Sequence, residues 1–410
     1  WSDTTPSFKK QVLCRFAELI ENESADLDAL DAEEMGKPVS IGFFNAMGGA
    51  GLVRFNAEAI DKLSGDVLSS DKASLVTQRR VPRGVVAAVV PWNFPAANAL
   101  LKAAPALAAG NCIVLKPSEL SSRSTIRIAQ LALEAGLPPG VFNVVLGVGE
   151  TVGRALGLHM DVDMITFTGS TTVGKLMLQY AGQSNMKVVM TECGGKSPQI
   201  VFAEGVNLDA TADAIADSIL TNQGQVCSAG TRLLVQRPIQ DALVDKIMDR
   251  FKDVVVGNPL DLKTTFGPIV TEQQCNKVMR YIEAGCADGA ELVTGGERLL
   301  PETGGYFVAP TLLRNVVPTA KIAQDEIFGP VLSVISFKEE EEAIRIANST
   351  VYGLSAGVWT ASLSTGMRVA KAIRSSVFVI SPSAEVGEGA GYACSGEPAG
   401  QSGMGAEGGL

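Results

Sequence analysis

Histidine is almost missing from this chain: its 410 residues include one, His159. That scarcity removes any zinc site built from several imidazoles and leaves little room for a Ser-His-Asp triad. General-base work therefore falls to a carboxylate, a lysine or a tyrosine. Cysteine lacks a paired pattern. The seven (14, 112, 193, 227, 275, 286 and 394) are an odd number with no Cys-x-x-Cys. This predicts reduced thiols in a cytoplasmic protein, with neither a disulfide framework nor a metal site. No apolar run reaches the roughly 18 residues of a membrane-spanning helix. Basic residues are outnumbered, 34 Lys and Arg against 44 Asp and Glu, which argues against nucleic acid or an anionic membrane surface as partner. No signal peptide is visible, but the chain opens on Trp1 rather than Met, so further sequence is expected upstream.

What is present is interior. Hydrophobic residues make up 46% of the chain and charged residues 19%, a globular composition at a length that predicts two domains or more. Phe8, Val12, Phe16, Leu19 and Ile20 fall at helical spacing and predict a helix to about Met35, stopped by Gly36-Lys37-Pro38. A second helical stretch is expected from about Ser40 to Leu63, and a polar, partly alternating hairpin from Asp66 to Pro82. The pattern then changes. Val85 to Val90 is a short continuous apolar run, the mark of a strand buried on both faces. Helices at about 96–109 and 125–135 alternate with strands at 112–115, 141–146 and 164–167. This alternation implies a parallel, doubly wound α/β sheet that binds ligands beyond the carboxyl ends of its strands. Trp92-Asn93, Lys116-Pro117-Ser118-Glu119, Gly147-Val148-Gly149 and Thr168-Gly169-Ser170 all follow expected strand ends, which is the best sign of a cofactor site. A second α/β series runs from about Ser197 to Val379, with helices at 208–220, 241–256 and 272–287. From Gly387 onward the Gly-rich chain reads as loop.

Two segments stand out chemically. Cys227 lies in Asn222-Gln223-Gly224-Gln225-Val226-Cys227-Ser228, and Glu192 lies 35 positions earlier in Thr191-Glu192-Cys193-Gly194-Gly195-Lys196-Ser197-Pro198. A cysteine taken alone is more often a small buried hydrophobe than a nucleophile, and a glutamate more often solvates a surface. Glu192, however, follows the apolar run Val188-Val189-Met190 and precedes two glycines where backbone must pack closely. A carboxylate at a strand end over a site is a good base, because desolvation raises its pKa toward working pH. A third element, Asn93, sits in Pro91-Trp92-Asn93-Phe94-Pro95. Thiol, carboxylate and amide together are what oxidation of an aldehyde through a thioester requires.

With these motifs the chain resembles the NAD(P)-dependent aldehyde dehydrogenase superfamily. The resemblance implies a Rossmann-like cofactor domain at 1–63 and 83–194, an oligomerisation hairpin at 64–82, a catalytic domain at 195–395 and a return segment at 396–410. It implies Cys227 as nucleophile, Glu192 as base for the hydrolytic water, Asn93 as oxyanion donor and Lys102 as part of a proton relay. For the cofactor it implies Pro91, Trp92, Lys116, Ser118, Glu119, Gly149, Gly153, Phe167, Thr168, Gly169 and Ser170. Glu326 would hold the nicotinamide ribose, with Phe328 against the ring. Glu119 facing a ribose 2′-hydroxyl favours NAD, with NADP as the second option. The implied partner is a small aldehyde, and the implied assembly a homo-oligomer. The sequence departs from the family at Cys193, where Leu is usual, and in the late loop at Ser395-Gly396-Glu397-Pro398-Ala399-Gly400. By the resemblance, an N-terminal stretch and the C-terminal strand after the Glu407 region are expected to be missing from this sequence. An acylating dehydrogenase that transfers to coenzyme A, or a relative that binds NAD without turnover, are the alternatives.

Overall fold

The computed structural model describes residues 1–380 and 398–405. Residues 381–397, Cys394 among them, and 406–410, Glu407 among them, fall outside these residues, so the expected loop from Gly387 and the return segment are described only over 398–405. The chain forms two compact units, one from Trp1–Asp31 and Phe44–Thr191, the other from Ala32–Phe43 and from Glu192 onward. Among the described residues no helix is long and apolar enough to cross a membrane.

The first unit opens with a helix, Pro6–Asn22, capped by the Thr5 hydroxyl, which accepts from Phe8 N–H, with Pro6 at its first position. Periodicity alone predicted one helix to Met35. The chain instead breaks at Glu23, where the Ser24 hydroxyl takes the Glu21 carbonyl (2.9 Å), and a separate helix Ser24–Met35 follows. The next helix begins at Ala46 rather than near Ser40. Phe44 adopts a left-handed φ of 45° and Asn45 caps the helix by accepting from Gly48 N–H. It ends at Ala59, and a 3-10 turn covers Ile60–Lys62. Asp66–Val67 pairs antiparallel with Thr77–Gln78, as the alternation suggested.

The central sheet of this unit carries Val188–Glu192, Met164–Thr168, Val85–Val89, Cys112–Lys116 and Phe142–Val144, in that spatial order. Val85–Val89 runs parallel to both Cys112–Lys116 and Met164–Thr168. The order therefore reverses between Val85–Val89 and Met164–Thr168, the switch point at which doubly wound sheets bind ligands. Leu100, Leu107, Ile113, Leu115, Ile128 and Leu131 belong to the core that fixes the helices on this sheet.

The second unit holds seven strands in the order Glu291–Thr294, Thr311–Arg314, Val331–Phe337, Arg232–Gln236, Pro198–Val201, Ser355–Trp359 and Ser376–Ile380. The first pair is antiparallel and the remaining neighbours are parallel. Helix Leu208–Leu220 packs with Gln240–Lys252 on one core, which contains Ile215, Ile219, Leu243 and Ile247. Helix Glu272–Ala287 contributes Cys275, Val278 and Ile282 to another.

Candidate active site

In the first unit, the residues singled out by sequence gather at the carboxyl ends of the strands around the switch point. Pro91, Trp92 and Asn93 follow Val85–Val89 directly, and Asn93 is buried. The helix after them, Pro95–Ala108, has no side-chain cap from Phe94; the buried Asp31 carboxylate supplies one by accepting from Ala96 N–H at 3.2 Å. Trp92 is held by its carbonyl, which accepts from the Ser121 hydroxyl (3.2 Å). Lys102, on the same helix, donates to Thr166 Oγ1 at 3.1 Å. Lys116 ends its strand almost fully buried, and its Nζ donates to the half-exposed Glu119 carboxylate (3.2 Å) and the Pro117 carbonyl. Glu119 thus presents a carboxylate held by a buried cation. Ser118 Oγ accepts from Leu120 N–H and closes the turn between them.

The remaining cofactor candidates fit a dinucleotide. Gly149–Gly153 forms one wide helical turn, and a Cβ on Gly149 would meet open space. A Cβ on Gly169 would stand 2.6 Å from the Phe167 ring, so only glycine brings the backbone this close. Ser170 caps helix Thr171–Gln183 by accepting from Val173 N–H, which leaves a helix N-terminus of the kind that receives phosphate. Thr168 Oγ1 is buried with no hydrogen-bond partner among the described residues. An unpaired polar atom and an unobstructed helix end at a switch point suit a nucleotide phosphate better than a packed core.

The second unit arranges its candidates differently. Glu192 ends strand Val188–Glu192 and is half-buried; Cys227, also half-buried, sits in the turn before Arg232–Gln236. Glu326 and Phe328 precede Val331–Phe337. Cys227, Glu326 and the loop 193–197 therefore cluster at the amino ends of three adjacent parallel strands, whereas the candidates of the first unit follow the carboxyl ends of theirs.

Contacts among these loops are close. Gly195 N–H donates to Glu326 Oε1 at 2.9 Å. A Cβ on Gly195 would lie 2.3 Å from the Cys227 carbonyl oxygen, and one on Gly194 would lie 2.6 Å from the Glu326 carboxylate. The pair of glycines is thus threaded between Cys227 and Glu326. Gly224, at φ +68°, packs equally tightly on the Gly329 carbonyl, 2.3 Å from where its Cβ would be. Two buried residues just before it, Asn222 and Gln223, are left-handed at φ 47° and 56°. Each such conformation costs roughly 1–2 kcal/mol without glycine, and surrounding bonds hold it. Gln225 Oε1 accepts from Val270 N–H (3.0 Å), while its Nε2 donates to the Asn222 carbonyl (3.1 Å). Phe328 is left-handed too, at φ 60°, and the Gln274 amide donates to its carbonyl and that of Ile327.

Two buried cations in this region have no counterpart in the sequence reading. Arg232 is 1% exposed and donates to the Lys196, Ile346 and Ala347 carbonyls at 2.8–3.0 Å. Burial lowers it to about 9. Lys196 is pushed down to about 7, by burial first and then by Arg232. Burial raises the Glu326 carboxyl, against the opposing pull of its Gly195 hydrogen bond and of Lys277 and Lys196. The signal available in sequence was a Lys and an Arg flanking continuous apolar strands, a placement that demands partners. Six described cysteines, Cys227 among them, form no disulfide among the described residues.

A family model described as the Aldehyde dehydrogenase family matches residues 1–410. The chain is 44% identical over 381 residues to an NADP/NAD-dependent aldehyde dehydrogenase, PuuC, of Escherichia coli, an alignment covering 92% of this chain and 76% of that one. The crystal structure of the aldehyde dehydrogenase KauB from Pseudomonas aeruginosa superposes with a TM-score of 0.93 at 49% identity, covering 99% of this chain and 82% of that one. An indole-3-acetaldehyde dehydrogenase of P. syringae, AldA, solved as a variant with NAD+ and IAA, gives 0.95 at 48% identity over 100% and 82%.

Proposed function

The chain belongs to the aldehyde dehydrogenase family, and from that premise we propose that Cys227 is its nucleophile, Glu192 its general base and Asn93 its oxyanion donor. The activity is oxidation of an aldehyde to a carboxylic acid with NAD or NADP. The observation that carries the residue assignment is the position of Gly195, pressed on the Cys227 carbonyl and bonded to Glu326, three residues after Glu192.

The Cys227 thiolate adds to the aldehyde carbon, and the carbonyl π pair moves onto oxygen. The Asn93 amide and the Cys227 N–H donate to that oxyanion, one such donor being worth ~10²–10³ in rate. A nicotinamide bound there would supply the acceptor for the hydride that the thiohemiacetal loses in becoming the thioester. Glu192 then takes a proton from the water that attacks the thioester carbon, the C–S bond breaks, and the acid leaves with the thiolate restored. Lys102 serves the proton's exit. Pro91, Trp92, Phe167, Thr168, Gly169 and Ser170 would hold the pyrophosphate side of the cofactor, with Gly149 and Gly153 flanking it. Lys116, Ser118 and Glu119 would hold the adenosine ribose, and Glu326 and Phe328 the nicotinamide end. The paired Glu119 carboxylate supports NAD over NADP, since it would repel a 2′-phosphate.

Two further readings join this one. Cysteines that form no disulfide among the described residues support a reducing, cytoplasmic setting. The hairpin, with Val67, Leu75 and Val81 at 70% exposure or more, supports self-association through residues 64–82, between a cofactor domain at 1–63 and 83–194 and a catalytic domain from 195. The test of the assignment is NADH formation by the purified chain on an aldehyde panel, beside Cys227→Ala and Glu192→Gln. Loss of all turnover in the first, and slowed steady-state turnover with a retained NADH burst in the second, are expected. Full steady-state turnover in Glu192→Gln would remove Glu192 from its role.

A further inference from the structure

The loop leading away from Glu192 ends on a side chain that the proposed mechanism does not use. Lys196 is 2% exposed, and its Nζ has no hydrogen-bond partner among the described residues. Ser197 Oγ and Ser375 Oγ share that condition. All three residues line one small cavity, together with Asn348, Tyr352 and Arg374, and no carboxylate is among its lining residues. Its volume is about 10 Å3, room for a single water molecule. Buried polar atoms rarely go without partners, and one water can serve two to four of them.

We propose that Lys196, Ser197 and Ser375 hold one buried water, and that through it Lys196 positions the loop Glu192–Lys196 against Cys227. The alternatives fit poorly. A cation there would face Lys196 and Arg374 with no carboxylate to offset them. An inorganic oxyanion is larger than the space. Water has the valence required: it accepts from the amine and donates to the two seryl oxygens. An amine lowered toward neutrality by burial is also less costly to enclose this way than a full charge.

The mechanical link to the site is short. The Lys196 carbonyl is fixed from behind by Arg232 Nε at 2.8 Å, and the side chain is fixed by the cavity. One residue earlier, Gly195 bonds Glu326 and touches the Cys227 carbonyl. A displacement at Lys196 therefore reaches the nucleophile turn through a single peptide, with no slack at Gly195 to absorb it. This positioning role rests on the proposed roles of Cys227 and Glu192.

The test uses the full chain with Lys196→Met, which keeps the volume and removes the amine, and Ser375→Ala as a milder variant. A high-resolution crystal structure should show one density peak within hydrogen-bond distance of Nζ and both hydroxyls, absent in Lys196→Met. In that variant kcat should fall about tenfold while the aldehyde KM changes less than about threefold, since misplacement by an ångström costs up to about a hundredfold. The kcat pH profile should shift, and Cys227 alkylation by iodoacetamide should change rate in the same variant; Ser375→Ala should move both readouts less and in the same direction. An empty cavity, an ion in it, or wild-type kcat, pH profile and alkylation in both variants would overturn the proposal. Density and alkylation are read without turnover, so they judge it even if Cys227→Ala stays active and the mechanism above fails.

Discussion

Substituting Gly195 by alanine should disable the enzyme while leaving it folded. The added Cβ would stand 2.3 Å from the Cys227 carbonyl oxygen and 3.4 Å from the Leu354 Cβ on another side. An ordinary contact needs about 3.2 Å, so the Cys227 backbone must move by about 0.9 Å or the loop must leave its bond to Glu326. Overpacking of this kind typically costs about 1–3 kcal/mol of stability. Its kinetic effect is larger, because about 1 Å of misplacement at a reacting group costs about a hundredfold in rate. The neighbouring glycine provides the control. A Cβ on Gly194 meets only the end of the Glu326 side chain, at 2.6 Å, which can swing aside. Stopped-flow NADH formation and thermal unfolding of both variants form the assay. Gly195→Ala should lose about two orders of magnitude in the burst rate, and Gly194→Ala about one or less, expressed mainly in the KM for NAD. A Gly195→Ala enzyme with a wild-type burst would show that the Cys227 turn is free to shift, and the reasoning from close packing would fall.

Three other predictions concern separate parts of the chain. Lys196, lowered by burial to about 7 from 10.5, binds fewer protons folded than unfolded between those values, so stability should rise with pH across that window and carry the full penalty below it. Denaturant unfolding from neutral to about pH 10 should show a slope of up to about 5 kcal/mol in total that Lys196→Met lacks; equal slopes would place the amine in solvent. The buried Trp359 indole donates to Gln199 Oε1 at 2.8 Å, so Gln199→Leu should strand that N–H and cost about 1–3 kcal/mol in urea unfolding, with the deficit absent if water replaces the amide. Glu119→Gln should raise the NADP-to-NAD ratio of kcat/KM about tenfold by removing a repelling charge; an unchanged ratio would take Glu119 away from the ribose.

Sequence reached the regular parts of this fold because periodicity reports burial. Helices 208–220 and 272–287 and the strand from Val85 appear within a residue of their expected bounds. It failed where a single side chain decides. Nothing in the spacing of apolar residues signals that Ser24 interrupts a helix or that Phe44 turns left-handed. The glycine pair after Glu192 was legible as a place of close packing, and the structure supplies its neighbours, Cys227 and Glu326. The left-handed Asn222 and Gln223 were not legible, since their conformation is held by Gln225, which bonds Asn222 and the distant Val270. The buried Arg232 was missed for a similar reason: its partners are carbonyls up to 115 positions away, and carbonyls carry no sequence signature, while Lys196 has no side-chain partner among the described residues that a pattern could signal.

The strand order of the second unit has a consequence for synthesis. Arg232–Gln236, the strand that follows Cys227, lies between Pro198–Val201 and Val331–Phe337, and Pro198–Val201 is bordered in turn by Ser355–Trp359. On a ribosome the thiol emerges about a hundred residues before Glu326, and further still before the strand that closes the sheet beside Gln199. Non-local pairing of this kind forms late. During that interval Cys227 is an ordinary thiol in an unfinished chain, without the Gly329 carbonyl under Gly224 or the Glu326 carboxylate behind Gly195. The surroundings of Cys227 are assembled last, so a nascent chain carries the thiol before the loops that pack against it.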